Sequence, residues 1–177
     1  LFFLFQNGFS QKDFYKNYEF TQADTLRGML RPERTCYDVT HYILDIEINP
    51  EKKYIKGWVD IFFDVKEPFK TLQIDLFKNM KINQITNYDS ELIYNRIHNA
   101  VFVEMPENQP IGTSNSIRVF YEGIPTEAEN APWDGGFVWK KDSFGKDWIG
   151  VACEGTGASL WWPNKDHMYD EVDSMRI

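Results

Sequence analysis

The alternation of apolar and polar side chains over residues 37–65 constrains the fold more than any other feature of the sequence. In YDVTHYILDIEI, at 37–48, one parity carries the set Thr40, Tyr42, Leu44, Ile46 and Ile48. A period of two predicts a β-strand with this set facing the core. NPEKK then turns the chain, and YIKGWVDIFFDVK alternates again through the set Ile55, Gly57, Val59, Ile61 and Phe63. The two runs together predict a long antiparallel hairpin.

Short runs of the same character continue along the chain. They are TLQIDLF (71–77), MKINQITNY (80–88), AVFVEM (100–105), SIRVFYEG (116–123), GGFVW (135–139) and DWIGVAC (147–153), and the closing DSMRI reads as the start of another strand. Helical spacing is absent after Arg31, so helix is expected only within residues 11–27. Aromatic residues make up 16% of the chain and favour sheets. The sequence predicts an all-β fold, a mainly antiparallel curved β-sandwich of eight or more strands, with a short helical or disordered N-terminus.

The charge balance excludes some partners. The 177 residues carry a formal net charge of -8. Nucleic acids and anionic membrane surfaces attract clustered lysine and arginine, so neither is expected as a partner. The apolar runs are also too short to span a bilayer.

The first residues have the character of a targeting segment. LFFLF followed by QNGFSQ resembles the tail of a secretory signal peptide, with a possible cut after Ser10. The alternative is an ordinary apolar start that docks on the domain. We therefore expect residues 1–30 to be a signal-peptide remnant and N-terminal extension, residues 31–177 to be one β domain, and the protein to be exported to the periplasm or the extracellular space. Because the chain opens on Leu1, we also expect it to be a fragment.

The cysteines and histidines give no metal motif. Cys36 and Cys153 could form a disulfide in an oxidising compartment, or could be two buried free thiols. His41, His98 and His167 lie too far apart in sequence for a local ligand motif. No metal site is predicted in this chain.

Other candidate motifs favour ordinary surface roles. EGTGAS lacks the lysine and the following helix of a phosphate-binding loop. The acids Asp170, Glu171 and Asp173 are expected to form a solvated face.

Three tryptophans support a different class of function. Trp133, Trp139 and Trp148 lie among glycines and could stack on sugar rings, although core and loop packing is the commoner use of tryptophan in a β-sandwich. The alternatives are therefore a secreted carbohydrate- or ligand-binding β-sandwich module and a purely structural or interaction domain.

Two segments carry a resemblance to a known family. RPERTCYDVTHYILDIEINPEKKYIKGWVDIFFDV, near the start, and GVACEGTGASLWWPNKD, near the end, resemble the N-terminal domain of aminopeptidase N-type zinc metallopeptidases. That family carries a T-Q-x-[EQ] strand followed by a proline and an aspartate; here Ala152, Glu154, Pro163 and Asp166 stand at the matching positions. Val151 and Ala152 replace the T-Q pair, a departure that indicates a divergent bacterial branch.

The resemblance implies a division of labour between this chain and a parent enzyme. In the family, zinc is held by H-E-x-x-H and a further glutamate in the next domain, and the enzyme removes N-terminal residues from peptides. Neither motif occurs here. The resemblance therefore implies a chain without catalytic residues that binds no zinc, is no enzyme on its own, and has the catalytic domain and the peptide N-terminus as its partners.

The resemblance also assigns a substrate-binding residue. A carboxylate or amide at the position of Glu154 helps the family bind the free α-ammonium of the substrate. The small residues Gly155, Gly157 and Ala158 would leave room for a peptide end, and the pair Trp161 and Trp162 would pack this segment on the core.

Overall fold

The computed structural model describes residues 19–177. The signal-peptide remnant, the cut after Ser10 and residues 11–18 of the expected helix lie outside them. The described helices are short: α1 spans Gln22–Gly28, α2 spans Pro32–Thr35, and a single 3₁₀ turn spans Ala158–Leu160. None of them is long and apolar enough to cross a membrane.

Helix α1 has a well-defined start. Thr21 Oγ1 accepts from the Asp24 amide at 3.3 Å, and the Asp24 carboxylate accepts from the Thr21 amide at 2.8 Å. This reciprocal capping satisfies two amides that have no partner within the helix. The Leu26 side chain is buried, so the helix is docked on the sheets.

Strands dominate the described residues. The first six are β1 (Tyr37–Asn49), β2 (Tyr54–Val65), β3 (Phe69–Asp75), β4 (Met80–Asn87), β5 (Ser90–Glu91) and β6 (Tyr94–Ile97). They are followed by β7 (Ala100–Gln109), β8 (Ser114–Gly123), β9 (Gly136–Lys141), β10 (Asp147–Ala152) and β11 (Ser174–Arg176).

The strands form three sheets. The largest has the order β11-β1-β2-β8-β4-β5, the second has the order β3-β7-β6, and β9 pairs with β10 in a separate hairpin. Every pairing is antiparallel except that of β11 with β1, which is parallel. The predicted all-β, mainly antiparallel fold and the long β1–β2 hairpin are confirmed. The short strands β5 and β6 were not predicted.

The core lies between the large sheet and the three-stranded sheet. Ile55, Val59 and Ile61 of β2 and Leu72 and Ile74 of β3 belong to one buried apolar cluster. Burying side chains of this size contributes roughly 1.5–3 kcal/mol each. Apolar burial between the sheets therefore supplies most of the energy that holds them together.

A β-bulge in β1 corrects the predicted core face. The register against β2 shifts between Val39 and His41, so the inward parity changes partway along the strand. Val39 is buried and Thr40 is only half-buried, opposite to the prediction. After the bulge Tyr42 and Leu44 are buried as expected. Ile48 is exposed, contrary to the prediction, although its cross-strand partner Ile55 is fully buried.

Candidate functional site

Glu154 lies in the tight turn that follows β10. The turn closes through the Cys153 carbonyl, which accepts from the amides of Thr156 at 3.2 Å and Gly157 at 2.8 Å. Gly155 at the tip has a φ of 69°, in the left-handed region that favours glycine. The Glu154 side chain is exposed and makes no hydrogen bond or ion pair with residues 19–177. Its carboxylate is therefore accessible to a ligand.

Helix α1 contacts this turn directly. The Arg27 guanidinium donates through Nη2 to the Gly155 carbonyl at 2.9 Å. Gly155 follows Glu154 immediately, so the contact restrains the peptide that carries the candidate side chain. The N-terminal helix thus forms part of the support of the turn.

The space expected for a peptide end beside the turn is present at Gly155 but not at Gly157. A Cβ on Gly155 would meet no atom within 4 Å. A Cβ on Gly157 would lie 2.1 Å from Asp166 Oδ2, so that space is already filled. Ala158 is half-buried and packs against the core. The expectation of a clear space is wrong at Gly157, because the Asp166 carboxylate occupies it.

Asp166 holds the segment that follows the turn. Its carboxylate accepts from the Ser159 amide at 3.2 Å and from Ser159 Oγ at 2.5 Å. Its main-chain amide donates to Asp75 Oδ2 at 3.2 Å, and its carbonyl accepts from Arg34 Nη1 at 3.2 Å. Asp166 is therefore a structural residue that connects the Glu154 turn to the interior.

A buried polar network anchors this segment. Arg34 is fully buried, and its Nη2 donates to Asp75 Oδ1 at 2.7 Å and to the Leu26 carbonyl at 3.0 Å. Gln73 Nε2 donates to the same two acceptors, each at 3.0 Å. Burial raises the pKa of Asp75 to about 6, although the Arg34 guanidinium opposes the shift. The network connects α1, α2, β3 and the loop at 164–166.

The sequence contained an unused signal for this network. In TLQIDLF, Gln73 and Asp75 stand within a run whose neighbours Leu72, Ile74 and Leu76 are all fully buried. A strand buried on both faces leaves no solvated side for its polar residues. Gln73 and Asp75 therefore required buried partners, and Arg34 supplies the charge that Asp75 needs.

An enclosed recess lies apart from Glu154. A cavity of about 140 Å³ lies beside Asp75 and is bounded by α1, by residues 98–100 and by Ser159 and Asp166. Glu154 does not line it. The Glu154 carboxylate is therefore exposed and lies outside this cavity.

A second buried ion pair corrects the prediction for Asp170. The Asp170 side chain is 2% exposed, and its carboxylate pairs with Lys165 Nζ. Lys165 also donates to the Tyr37 carbonyl, and Asp170 accepts from the Val39 amide at 3.1 Å. Burial lowers the pKa of Lys165 despite this partner. Asp170 was expected on a solvated face, but it is buried and binds the loop at 165–170 to the main chain of β1. Glu171 is exposed as expected.

The three tryptophans of the alternative do not share a surface. Trp139 faces the core, where its ring stacks on Phe137 at 5.0 Å between centroids. Trp148 on β10 pairs with Lys140, the residue next to Trp139, and therefore points to the face of the hairpin opposite to Trp139. Its ring lies over Gly150, at 3.3 Å from where a Cβ would stand. Trp133 lies in the preceding loop and is 81% exposed.

The other tryptophan pair packs as expected. Trp162 is buried and meets Tyr42 edge-on at 4.9 Å, and Trp161 contacts Phe137 at 5.7 Å. Pro163, in the matching position of the motif, is also buried. These contacts fix the segment after the turn on the core.

Both cysteines are free thiols. Burial raises the pKa of Cys36 to about 12 and also raises that of Cys153. His41 Nδ1 bonds to Ser174 Oγ at 2.7 Å, and His167 Nε2 bonds to the Gly28 carbonyl at 3.2 Å. Across residues 19–177, no three histidine, cysteine, aspartate or glutamate side chains are grouped so that they could hold a metal ion.

Comparison by sequence finds no relative. No protein-family model matches the chain, and a search of curated proteins returns no match.

Comparison by structure identifies the fold. An M1 zinc metallopeptidase mutant from Deinococcus radiodurans, bound to a Tyr-Ser-Ala substrate, is similar with a TM-score of 0.61 and 21% identity, over 77% of this chain and 30% of that chain. Native leukotriene A4 hydrolase from Saccharomyces cerevisiae gives a TM-score of 0.58 and 14% identity, over 75% and 21%. The chain thus has the fold of part of these enzymes and spans less than a third of their length. At the level of fold, the resemblance inferred from the sequence motifs is confirmed.

Proposed function

We propose that this chain is the N-terminal, non-catalytic domain of an exported zinc aminopeptidase, an enzyme that removes N-terminal residues from peptides. In this proposal the domain forms one wall of the active-site cleft. Glu154 helps to bind the α-amino group of the substrate. The observation that carries the proposal is the likeness in fold to M1 metallopeptidases over most of this chain but less than a third of theirs.

The chemistry of Glu154 suits this role. A free α-ammonium has three N–H donors, and a carboxylate is the strongest acceptor that a side chain offers. The Glu154 carboxylate is exposed and has no partner within residues 19–177, so binding would break no existing ion pair. A charge-assisted hydrogen bond contributes roughly 1.5–3 kcal/mol. It would also fix which peptide bond reaches the catalytic centre.

The support of the turn suits a positioning role. Arg27 holds Gly155 on one side, and Asp166 holds Ser159 on the other. Asp166 is connected in turn to the buried Arg34–Asp75 pair. A side chain on a well-anchored turn orients a ligand better than one on a free loop.

Zinc belongs to the other domain in this proposal. The described residues do not fit a zinc site, since they hold no group of three ligating side chains. When bound in the parent enzyme, zinc would activate water for hydrolysis. The residues of this chain bind and orient the peptide end, and its contacts outside itself are with the substrate and with the catalytic domain.

Export is proposed from the sequence. The apolar stretch LFFLF at the start has the composition of a signal-peptide core. Fusing the first residues of the parent gene to a periplasmic reporter would test it; a reporter retained in the cytoplasm would contradict export.

The substrate role is tested in the full-length parent enzyme. Glu154→Ala should lower kcat/KM for peptides with a free N-terminus about tenfold to a hundredfold, and Glu154→Gln should have a smaller effect because an amide oxygen still accepts. Glu107→Ala, which removes an exposed acid from β7, is the matched control and should leave the rate unchanged. A wild-type rate in Glu154→Ala would reject the assignment.

A readout on binding alone separates the amino-group contact from a general loss of activity. Inhibition constants should rise in Glu154→Ala for peptide inhibitors with a free amine and should not change for the same inhibitors after N-acetylation. Equal effects on both would show that Glu154 does not contact the amine. Sequencing the downstream region of the gene provides a simpler test, because the proposal requires H-E-x-x-H there.

A further inference from the structure

The outer face of the six-stranded sheet carries an open groove of about 560 Å³. This volume falls within the roughly 300–1,000 Å³ usual for ligand sites. The groove is far from Glu154 in the chain and is built by β2, β4 and β8 together with the β4–β5 turn. Its lining comprises Asp60, Phe62, Gln84, Thr86, Tyr88, Asp89, Ser116, Arg118 and Phe120.

A fixed ion pair forms the floor of the groove. Arg118 donates to Asp60 through Nε at 2.6 Å and Nη2 at 2.7 Å, a two-point contact between cross-strand neighbours. The guanidinium also lies over the Trp58 ring, 3.8 Å from its centroid. Arg118 is therefore held flat against the sheet, while its Nη1 group is not used by Asp60 and remains available.

Aromatic rings stand at the two ends of this floor. Phe62 lies two positions beyond Asp60 on β2, and Phe120 lies opposite Trp58, two positions before it. Since two residues advance a strand by about 6.7 Å, the two phenylalanines are separated by roughly 13 Å along the sheet. Tyr88, from the β4–β5 turn, stands at the rim and is 78% exposed.

The remaining lining groups are free to bond a ligand. The side chains of Gln84, Thr86 and Asp89 make no hydrogen bond or ion pair with any residue in 19–177. They supply an amide, a hydroxyl and a carboxylate, so that both donors and acceptors are present. Thr86 on β4 is the cross-strand neighbour of Arg118, and Gln84 is the cross-strand neighbour of Phe120. These polar groups therefore lie directly beside the ion pair and one of the rings.

The charges of the groove disfavour anionic ligands. Asp60 and Arg118 neutralise each other, and Asp89 leaves one negative charge. No cationic patch is present among the lining residues for a phosphate, a sulfate or an acidic polymer. The mixed polar lining also differs from the apolar centre of a typical stable protein interface.

The geometry points to a second binding site on this face, for a short neutral oligosaccharide. The apolar faces of sugar rings would stack on Phe62, Phe120 and Tyr88. Their hydroxyl groups would bond to Arg118 Nη1, Gln84 and Thr86. The length of the groove suits a chain of sugars better than a single ring. This site does not depend on the role of Glu154, and it differs from the exposed Trp133 and Trp148.

Titration calorimetry on the 177-residue chain tests the site. The probes are maltohexaose, cellohexaose, chitohexaose and a mannan hexasaccharide, with a sulfated hexasaccharide as a charged comparison. We expect saturable one-to-one binding of at least one neutral probe and weaker binding of the sulfated one. No saturable binding of any neutral probe, or tighter binding of the sulfated probe, would overturn the proposal.

Variants localise the binding. Tyr88→Ala and Gln84→Ala should each weaken it about tenfold, a difference of about 1.4 kcal/mol, with unchanged thermal unfolding, and Tyr88→Phe should retain most of it. Trp133→Ala, which removes an equally exposed ring elsewhere, is the matched control and should bind normally. If Trp133→Ala or Trp148→Ala lost binding instead, the sugar would bind at the β9–β10 hairpin or the loop before it, and this site would be refuted. A dimer in light scattering that Tyr88→Ala dissociates would identify a second copy of the chain as the occupant, and would also refute it.

Discussion

The β1–β2 hairpin and the segment at 153–170 are held in place by different forces. In the hairpin, Ile55, Val59 and Ile61 point inward and belong to one apolar core. The segment that carries Glu154 also packs Trp161 and Trp162 on this core, but in addition it is held by charged and polar groups, chiefly the Arg34–Asp75 pair and the Lys165–Asp170 pair.

This difference shows which contacts fix the positions of individual atoms and which hold the sheets together. Apolar contacts are non-directional, so they hold the sheets together but specify single atoms poorly. Buried ion pairs and hydrogen bonds are directional and are costly when incomplete. The polar network therefore sets where the Glu154 turn lies, and the apolar core holds the sheets together.

The largest expected effect is the loss of one member of the Arg34–Asp75 pair. Arg34→Ala should lower the free energy of unfolding by roughly 3–5 kcal/mol, because it leaves Asp75 buried without its cation. Ile61→Val, in the apolar half, should cost only about 0.5–1.5 kcal/mol. Urea unfolding followed by circular dichroism measures both.

A double variant checks that the charge imbalance is the cause. Arg34→Met combined with Asp75→Leu keeps the volume and removes both charges, so it should be much closer to the wild type than Arg34→Ala. A double variant as unstable as Arg34→Ala would mean that the lost hydrogen bonds to Leu26, Gln73 and Asp166, and not the unpaired charge, account for the destabilisation.

The next effect concerns Gly157. Gly157→Ala should cost roughly 1–3 kcal/mol of backbone strain, and more if Asp166 is displaced, because φ is 77° and the new Cβ would meet the Asp166 carboxylate at 2.1 Å. Gly155→Ala is the matched control, with φ at 69° and open space around it. Thermal unfolding of the two variants should differ clearly. Equal losses would show that left-handed strain alone explains both.

The pH dependence of stability should reveal Asp75. Its pKa in the folded chain is about 6, above the ordinary value of 3.8, so the folded state binds the proton more tightly. The stability that the folded chain gains by holding Asp75 protonated is fully present below about pH 3.8 and is lost as the pH rises through 6. Between pH 7.5 and 5.5, the wild type should therefore gain stability relative to Asp75→Asn, which shares every other titrating group. A difference that does not change with pH would contradict the raised pKa.

The smallest effect is expected at Glu154 itself. Glu154→Ala should change the free energy of unfolding by less than about 0.5 kcal/mol, because the side chain is exposed and has no partner in the described residues. Differential scanning calorimetry measures this directly. A large loss would show that the carboxylate is part of the supporting network and is not free for a ligand.

The strands were predictable because their signal is local. Alternation in YIKGWVDIFFDVK needs only the neighbouring residues, and it correctly predicted β2 with Ile55, Val59 and Ile61 inward. The same rule failed at Thr40, since a bulge adds one residue and no local pattern announces it. The two-residue strand β5 is too short to show any period.

The site was only partly predictable because its signal is not local. Glu154 was predicted as a substrate-binding residue from its motif, and this stays a prediction; the groups that hold its turn come from distant parts of the chain. Arg34 meets Asp75 and Asp166 only after folding. Asp170 was misjudged for the same reason, since an acid near other acids is usually solvated and only the folded chain brings Lys165 and the Val39 amide to it.

The bulge at residues 39–41 determines where β1 can lose a residue. Before it, the main chain of Tyr37 and Val39 bonds to the Lys165–Asp170 pair; after it, Tyr42 and Leu44 enter the core. The step of three residues from Val39 to Tyr42 leaves both side chains inward only because the bulge accommodates Thr40 as an extra residue. Deleting Thr40 would therefore give a regular strand whose two halves still face the core, whereas deleting Ile43, beyond the bulge, would turn Leu44 to the opposite face. Single-codon deletions are therefore expected to be far more damaging in the regular part of β1 than at the bulge.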